Sequence, residues 1–189
     1  MQYPAPPPGR TAVTESADSV VRPGHEGDLE ALTDLYNHYV RETPVTFDIE
    51  PFSPEERRPW LLSHREDGPH RLLVAREARE AGTSREGRLL GYAHSSRFRP
   101  KAAYDTSVEC TVYVAPDAGG QGIGTLLYKR LFEILDGEDV HRAYAGITLP
   151  NEASVRLHRR FGFEPCGTYT QAGRKFGRYY DVRRFEKQL

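Results

Sequence analysis

Four glycines lie within six residues in the segment Gly119-Gly120-Gln121-Gly122-Ile123-Gly124. An apolar run rich in β-branched residues, Ser107 to Val114, precedes the segment, and a helical repeat of apolar residues follows it. Glycines at the start of a helix let backbone N–H groups approach a ligand closely, and the positive end of the helix dipole attracts an anion. The segment therefore indicates a phosphate site, although a glycine turn without a ligand would have the same composition.

Two common phosphate-binding motifs do not fit this spacing. A P-loop requires Lys-Ser or Lys-Thr directly after its second glycine, and this segment has neither. A dinucleotide-binding fold requires GxGxxG after the first strand, with an acidic residue about 20 residues further on. Here the glycines follow the fourth or fifth strand of the predicted order, so a phosphate bound here would belong to another kind of ligand.

A second segment, residues 149–163, reads LPNEASVRLHRRFGF. On a helix Asn151 and His158 would lie on nearly the same stripe, about 10 Å apart along the axis. The apolar stripe of Ala153, Leu157 and Phe161 is predicted to face the core instead. A polar line of this length could run beside an extended ligand arm, but a capping Asn and a solvated His would give the same pattern.

The two segments together resemble the GCN5-related N-acetyltransferase (GNAT) superfamily, and within it the phosphinothricin N-acetyltransferases. In the superfamily a strand-turn-helix of the form (Arg/Gln)-x-x-Gly-x-(Gly/Ala) holds the pyrophosphate of coenzyme A, and an Asn-initiated helix ending in Gly-Phe follows it. Gly119 stands where the superfamily usually has Arg or Gln. The likeness extends from Val20 to Phe185 and includes these stretches: Asn37-His38-Tyr39, Tyr104-Asp105, Val108-Glu109, Thr111-Val112-Tyr113-Val114, Leu149-Pro150-Asn151, Ser154-Val155-Arg156-Leu157-His158, Ala172-Gly173 and Asp181-Val182.

The resemblance implies a fold, a cofactor and an activity. The expected fold is a mixed α/β domain whose central, mostly antiparallel sheet is splayed at the acetyl-CoA site and flanked by helices. The expected activity is acetyl transfer from acetyl-CoA to the amine of a small amino acid or analogue, such as phosphinothricin or methionine sulfoximine. The residues expected to bind the cofactor are Val112, Tyr113, Val114, Gly119, Gly120, Gln121, Gly122, Ile123, Gly124, Thr125, Asn151 and Ser154.

Acetyl transfer to an amine requires a neutral nitrogen, a polarised thioester carbonyl and a proton for the departing thiolate. Glu109 is the expected general base, because it precedes by two residues the run that the thioester would pair with and matches the glutamate assigned that role in the resembling family. A glutamate on a strand can equally be an exposed salt-bridge partner. His158 is the expected acid for the thiolate, against a structural or substrate-orienting role.

The acceptor pocket is expected to contain Arg99 and Lys101, which precede Tyr104 where the resembling family carries a basic pair flanked by an aromatic residue. They could clamp an acidic acceptor, or they could belong to a solvated turn. Asn37 and Phe47 complete the residues expected to bind the acceptor. The C-terminal stretch Arg174-Lys175-Phe176-Gly177-Arg178-Tyr179-Tyr180 departs from the family's usual aromatic residues and histidine, which indicates that the acceptor can differ from phosphinothricin.

The elements that must position these residues follow the order β-α-α-β-β-β-α-β-α-β-β, without an internal repeat or linker. They predict one domain over residues 19–189, after a disordered tail over residues 1–18 that has four prolines in its first eight residues. The predicted strands are at residues 19–23, 71–75, 89–94, 107–114 and 144–149, the helices at 27–41, from 53, after 122 and at 152–161, and two C-terminal strands join at Ala172-Gly173.

Composition excludes several classes of partner. With 26 basic and 27 acidic side chains the net charge is -1, so no overall field favours nucleic acid or an anionic membrane. No apolar run approaches the roughly 20 residues of a membrane span, and the N-terminus lacks the apolar core of a signal peptide, so the cytoplasm is expected. Cys110 and Cys166 have no zinc-ligand spacing, so they are expected to be buried apolar residues and no metal site is expected.

Two alternatives stay open beside the acetyltransferase of small amino acids. One is an acetyltransferase for a protein N-terminus or a polyamine. The other is a non-catalytic acyl-CoA-binding module, which would need neither Glu109 nor His158. The resemblance also implies a homodimer.

Overall fold

The computed structural model describes residues 14–16, 19–78 and 86–189. Over these ranges eight strands form a single sheet, and four α-helices accompany it. From β2 onward their order is the predicted one. The elements are β1 Thr14–Ser16, β2 Ser19–Pro23, α1 Leu29–Glu42, α2 Pro54–Leu62, β3 Leu72–Glu77, β4 Leu89–Arg97, β5 Ser107–Val114, α3 Ile123–Leu135, β6 Arg142–Thr148, α4 Glu152–Arg160, β7 Glu164–Lys175 and β8 Arg178–Gln188.

Most of the predicted tail, and part of the segment between the strands predicted at residues 71–75 and 89–94, lie outside the described residues. The exception in the tail is β1, which pairs antiparallel with β2 in the register Thr14↔Val21. The structure thus places a short strand in the predicted tail, and the division into a disordered tail and one domain stays a prediction. Between those two predicted strands, residues 79–85 lie outside the described ranges.

The sheet has the strand order β1-β2-β3-β4-β5-β6-β8-β7. Every neighbouring pair is antiparallel except β5 and β6, which are parallel. Their pairing covers Ser107↔Arg142, Val108↔Ala143 and Glu109↔Tyr144 and then ends. Both strands continue, to Val114 and Thr148, so a wedge opens between them. We call this wedge the β5–β6 gap. The predicted splayed, mostly antiparallel sheet is confirmed.

The helices begin where the sequence predicts. Ser53 caps α2, Pro54 occupies its first turn, and Glu56 bonds back to the backbone of Ser53, which completes a capping box. On α3, the apolar positions Leu127, Leu131 and Leu135 are fully buried. The described residues contain no helix with the length and apolar character that a membrane crossing requires.

The C-terminal hairpin turns at a different place from the prediction. Phe176 and Gly177 form the turn between β7 and β8, with φ angles of 50° and 73°. The predicted turn at Ala172-Gly173 is wrong, because these residues lie within β7 beside a register shift between Tyr169 and Gly173. Small residues at this position serve packing instead. A Cβ on Gly173 would lie against the ring of Phe47, so glycine lets the ring approach the strand.

The two cysteines differ in their surroundings. Cys110 on β5 is buried, as predicted. Cys166 on β7 is exposed, so its predicted burial is wrong. The strand β7 is exposed along most of its length because it forms the edge of the sheet.

Candidate active site

The open edge of β5 presents backbone groups to the β5–β6 gap. Ala115 N donates to Leu90 O of β4 at 2.8 Å, so alternation along the strand turns the N–H of Tyr113 toward β4 and the N–H groups of Val112 and Val114 toward the gap. The carbonyl of Val114 accepts a 2.6 Å hydrogen bond from the Tyr39 hydroxyl on that side. Val112 and Val114 are thus placed to pair with an extended ligand, whereas Tyr113 is not.

The side chain of Tyr113 lies on the face of the sheet that α1 covers. Its ring is 4.9 Å from that of Tyr39, 5.4 Å from Tyr36 and 5.3 Å from Tyr92. Burial raises the pKa of the Tyr113 phenol well above its ordinary value. The Tyr113 side chain therefore packs beneath the site, and its expected contact with the cofactor stays a prediction.

The glycine segment forms an open cradle at the start of α3. Gly120 and Gly122 have φ angles of 78° and 83°, and a Cβ on either would meet nothing within 4 Å. Gly122 is the N-cap and contributes no side-chain hydrogen bond, so the first-turn N–H groups of α3 keep their donor capacity. First-turn N–H groups, which have no partner within the helix, fit a phosphate at the positive end of α3.

Two other residues of the segment have structural contacts. The Gln121 side chain donates to the carbonyl of Asp117 at 3.0 Å. A Cβ on Gly124 would lie 3.0 Å from Leu157 Cδ2, so this glycine permits the close approach of α3 and α4. A Cβ on Gly119, in contrast, would meet only the Pro116 carbonyl at 3.5 Å. The backbone there leaves room for the longer side chain that the motif usually carries.

The start of α4 flanks the same mouth of the gap. The strands β5 and β6 are parallel, and each leads directly into a helix, so α3 and α4 begin at the same edge of the sheet. Asn151 caps α4, because its Oδ1 accepts from Ser154 N at 3.1 Å. Capping uses this amide oxygen, and only the amide nitrogen of Asn151 is left for a ligand.

Glu109 occupies the last position at which β5 pairs with β6, where the gap opens. Its Oε1 accepts a 2.8 Å hydrogen bond from Arg184 Nη1 of β8, and the two side chains are 34% and 19% exposed. Arg184 reaches it across β6 above Gly146, with which it pairs. A Cβ on Gly146 would lie 2.7 Å from Arg184 Nη1, so the passage depends on glycine. The sequence suggested either a general base at the cofactor site or a salt-bridge partner. In the structure Glu109 lies at the gap and also forms an ion pair.

An aromatic stack adjoins this ion pair on the same face. Tyr144 is paired with Glu109 across β5 and β6, and the Phe98 ring stacks on Tyr144 with centroids 4.1 Å apart. Tyr104 contacts the edge of Phe98 at 5.8 Å, and the Arg99 guanidinium lies 5.1 Å from its centroid. Phe98 thus brings Tyr104 and Arg99 toward Glu109. Lys101 is exposed beside them.

The two remaining expected acceptor residues hold the segment between α1 and α2. Asn37 is buried and binds the backbone of Phe52 twice, at 2.7 and 2.9 Å, so its amide is used within the protein. Phe47 packs on Gly173, and Lys175 donates to the carbonyl of Thr46 at 2.8 Å. These contacts fasten the α1–α2 segment to β7. The structure thus gives Asn37 and Phe47 positioning contacts rather than an open surface.

His158 is not where the sequence places it. The helical stripe of Val155 and His158 faces the core, and His158 is only 3% exposed. Its Nδ1 donates to the Ser154 carbonyl at 2.8 Å, and its Nε2 is 2.9 Å from the Tyr128 hydroxyl. Burial lowers the pKa of the imidazole, so Nε2 of the neutral ring accepts the Tyr128 proton. The prediction that Ala153 marks the core side of α4 is wrong, since Ala153 is exposed.

In this position the His158 ring is enclosed by aromatic side chains, and its role as the acid for a thiolate stays a prediction. Phe163 and Phe185 also line its ring, with centroids at 5.1 and 6.2 Å. The spacing could have shown this, because the apolar Val155 lies three residues before His158 and shares its stripe.

Sequence reasoning also missed a cluster in which Arg57 of α2 packs against aromatic rings and two histidines lie next to them. The Arg57 guanidinium lies 4.1 Å from the ring centroids of both Tyr36 and Trp60, and Arg57 Nε and Nη2 are buried without a hydrogen-bond partner in the described part of the chain. Trp60 in turn contacts His64 at 5.0 Å and His94 at 5.4 Å. Burial and the nearby positive charges lower the pKa of His94 to about 3, so this ring is neutral.

One group of potential metal ligands exists among the described residues, formed by His25, Asp28 and Glu86. Arg22 donates to both carboxylate oxygens of Asp28, and Arg76 adds two hydrogen bonds to Asp28 Oδ1. These guanidinium groups occupy the carboxylate, so the group is an ion-pair cluster that joins β2 and β3.

Residues 32–163 match the model of the acetyltransferase (GNAT) family, and the chain belongs to that family. It is 67% identical over 174 residues to a phosphinothricin N-acetyltransferase of Streptomyces coelicolor, which covers 92% of this chain and 98% of that protein. It is 34% identical over 162 residues to an L-methionine sulfoximine/L-methionine sulfone acetyltransferase of Pseudomonas aeruginosa, with 86% and 90% covered.

The fold agrees with solved structures of the family. The structure of a GNAT superfamily phosphinothricin acetyltransferase from Sinorhizobium meliloti in complex with AcCoA has a TM-score of 0.82 and 29% sequence identity. The alignment covers 90% of this chain and 88% of that one. The resemblance found from the sequence is confirmed at the level of family and fold.

Proposed function

We propose that the protein is an acetyl-CoA-dependent N-acetyltransferase whose acceptor is a small amino acid or analogue of the phosphinothricin or methionine sulfoximine type. Its relatives from Streptomyces coelicolor and Pseudomonas aeruginosa are named for these acceptors. The observation that carries the proposal is the position of Glu109, at the point where β5 and β6 separate and below the free N–H groups of Val112 and Val114.

The chain's own groups would hold acetyl-CoA along the β5–β6 gap. The N–H groups of Val112 and Val114 would pair with the amides of the pantetheine arm as an added strand does. The N–H groups from Gly122 to Thr125 would bind the pyrophosphate. When bound, the cofactor supplies an acetyl thioester with an electrophilic carbonyl carbon.

Glu109 is the proposed general base. The α-ammonium group of an amino acid titrates above neutral pH, so most of the acceptor arrives protonated and must lose a proton. Oε1 of Glu109 is bound to Arg184, and Oε2 has no hydrogen-bond partner within the described ranges. Oε2 would take one proton from the ammonium group, and the neutral amine would then attack the acetyl carbon. As the carbon–sulfur bond breaks, the second proton of the nitrogen would pass to the departing thiolate, which releases coenzyme A as the thiol.

The charges near Glu109 favour an acidic acceptor over a polyamine. A polyamine site should gather carboxylates, whereas Arg184 binds Glu109 directly and Arg99 lies on the neighbouring Phe98 ring. With Lys101 and Tyr104, Arg99 is the proposed contact for an acidic group of the acceptor side chain.

Release of free coenzyme A thiol tests the proposal. Wild-type protein is incubated with acetyl-CoA and L-methionine sulfoximine, phosphinothricin, spermidine or short peptides. We expect turnover on the first two, and we expect Glu109→Gln to lower kcat/KM at least about 100-fold, the usual size of a general-base contribution. Glu133→Gln, an exposed acid near the C-terminal end of α3, is the matched control. If the protein binds coenzyme A but releases no thiol with any of these acceptors, the enzyme proposal is contradicted and a binding module is favoured.

A homodimer in the cytoplasm is also proposed, from the family resemblance. Analytical ultracentrifugation at micromolar concentration checks the first part, and cell fractionation checks the second. A monomer across the concentrations used for the assay would contradict the dimer.

A further inference from the structure

Arg184 has more hydrogen-bonding capacity than the fold uses. A guanidinium group carries five N–H donors, and among the described residues only Nη1 is engaged, with Glu109. The side chain is 19% exposed, so the remaining donors are not sealed in the core. Glu186, on the same face of β8, makes no ion pair with it among the described side chains.

The pair has two binding edges side by side at the point where β5 and β6 separate. Oε2 of Glu109 is an acceptor for an amine, and the adjacent guanidinium is a planar donor for a carboxylate. An α-amino acid carries its amine and its carboxylate on one carbon atom. When the amine nitrogen approaches Oε2, the carboxylate comes beside Arg184.

We propose that Arg184 binds the α-carboxylate of the acceptor, and that the Glu109–Arg184 pair selects free α-amino acids. The inference rests on the proposed function and adds a residue and a substrate class to it. Arg99 and Lys101 then serve the side chain of the acceptor. A peptide N-terminus presents an amide where the carboxylate would be, and a polyamine presents neither group, so both lose this contact.

A cycle of two acceptors and two proteins tests the inference. The acceptors are L-methionine sulfoximine and its α-carboxamide, and the proteins are wild type and Arg184→Gln. A charge-assisted contact of this kind corresponds to about a 10- to 100-fold preference in kcat/KM for the free acid. We expect wild type to show this preference in kcat/KM. In Arg184→Gln the preference should fall to about threefold or less, because kcat/KM decreases for the free acid and not for the carboxamide.

Two further variants serve as controls. Arg183→Gln removes the neighbouring guanidinium, whose side chain points to the other face of β8, and should retain the full preference. Arg184→Lys keeps the charge without the planar fork and should restore part of it. Thermal melts of all variants verify that the folded fraction is comparable.

The outcomes separate the inference from the proposed function. Equal losses by Arg184→Gln on acid and carboxamide would overturn the inference alone, because Arg184 would then act only by holding Glu109. No turnover by wild type on either acceptor would overturn the proposed function, and the inference with it.

Discussion

At Gly146 the absence of a side chain gives Arg184 its path to Glu109. A methyl group there would lie 2.7 Å from Nη1, which is the far end of a flexible side chain and can move away. We therefore expect Gly146→Ala to retain its melting temperature within a few degrees and to lower kcat/KM for free amino acids about as much as Arg184→Gln does. The double variant should be no worse than either single one, because both remove the same contact. Additive losses would show that Gly146 acts separately.

The histidine of α4 offers a second test at the level of single atoms. Because Nδ1 donates to the Ser154 carbonyl and burial lowers the pKa of the ring, we expect His158 to titrate below the ordinary pKa of a histidine and to carry its proton on Nδ1 when it is neutral. Nitrogen-detected NMR of the ring measures this, and His158→Asn assigns the signal. Titration near the ordinary pKa of about 6.5 would support the role of thiolate acid predicted from the sequence.

Local spacing could reveal Glu109 but not its partner. Glu109 stands out because it interrupts a strand of β-branched residues beside a recognisable glycine segment. Arg184 follows Arg183 in a strand, and no local pattern distinguishes the two. What selects Arg184 is a strand pairing with Gly146, 38 positions away, and such a long-range register is not encoded in any short window.

Among the elements, β5 carries the clearest expectation for the cofactor. In the free protein we expect the amides of Val112 and Val114 to exchange with solvent faster than that of Tyr113, which faces β4. Saturating coenzyme A should slow Val112 and Val114 by about 10-fold or more and leave Tyr113 unchanged. Residue-resolved hydrogen exchange checks this.

The nucleotide half of coenzyme A alone provides the control for this measurement. It lacks the pantetheine arm and should protect the amides from Gly122 to Thr125 without protecting Val112. If complete coenzyme A stabilises the protein to heat but protects neither valine, the arm does not pair with β5.

The order of the elements was predictable because apolar residues repeat at three and four in the helices and β-branched runs mark the strands. The errors occur where geometry depends on a partner. The sequence does not indicate a turn at Phe176, because a bulky aromatic residue rarely adopts a positive φ angle. The nine-residue helix α4 has apolar residues on more than one face, so periodicity does not determine which face is buried. Packing in the folded protein buries the face of Val155 and His158.

For the whole molecule, three histidines with enclosed ring nitrogens are expected to make stability depend on pH. Burial lowers the pKa of His64, His94 and His158 in the folded protein. Below about pH 6.5 the unfolded chain therefore binds more protons than the folded chain does. Their neutral forms contribute full stability above that pH, and the contribution falls as pH decreases. We expect the free energy of unfolding to drop from pH 6.5 to pH 5, with up to about 1.4 kcal/mol per pH unit from each histidine.

Urea unfolding at each pH measures this slope. His94→Phe keeps a ring against Trp60 and removes the titrating group, so its slope should be shallower than that of wild type. His141→Gln, at an exposed position, is the matched control and should follow wild type. An unchanged slope in His94→Phe would show that the uptake of protons occurs elsewhere.

The contact of Trp60 with Arg57, His64 and His94 has one more consequence. The chain contains a single tryptophan, so all indole emission arises between α2 and β4. The emission wavelength of an indole follows the polarity of its surroundings. A steady-state spectrum therefore reports, without any label, whether α2 stays seated on β4. During acidification it can separate a local release of this helix from the collective loss of the fold.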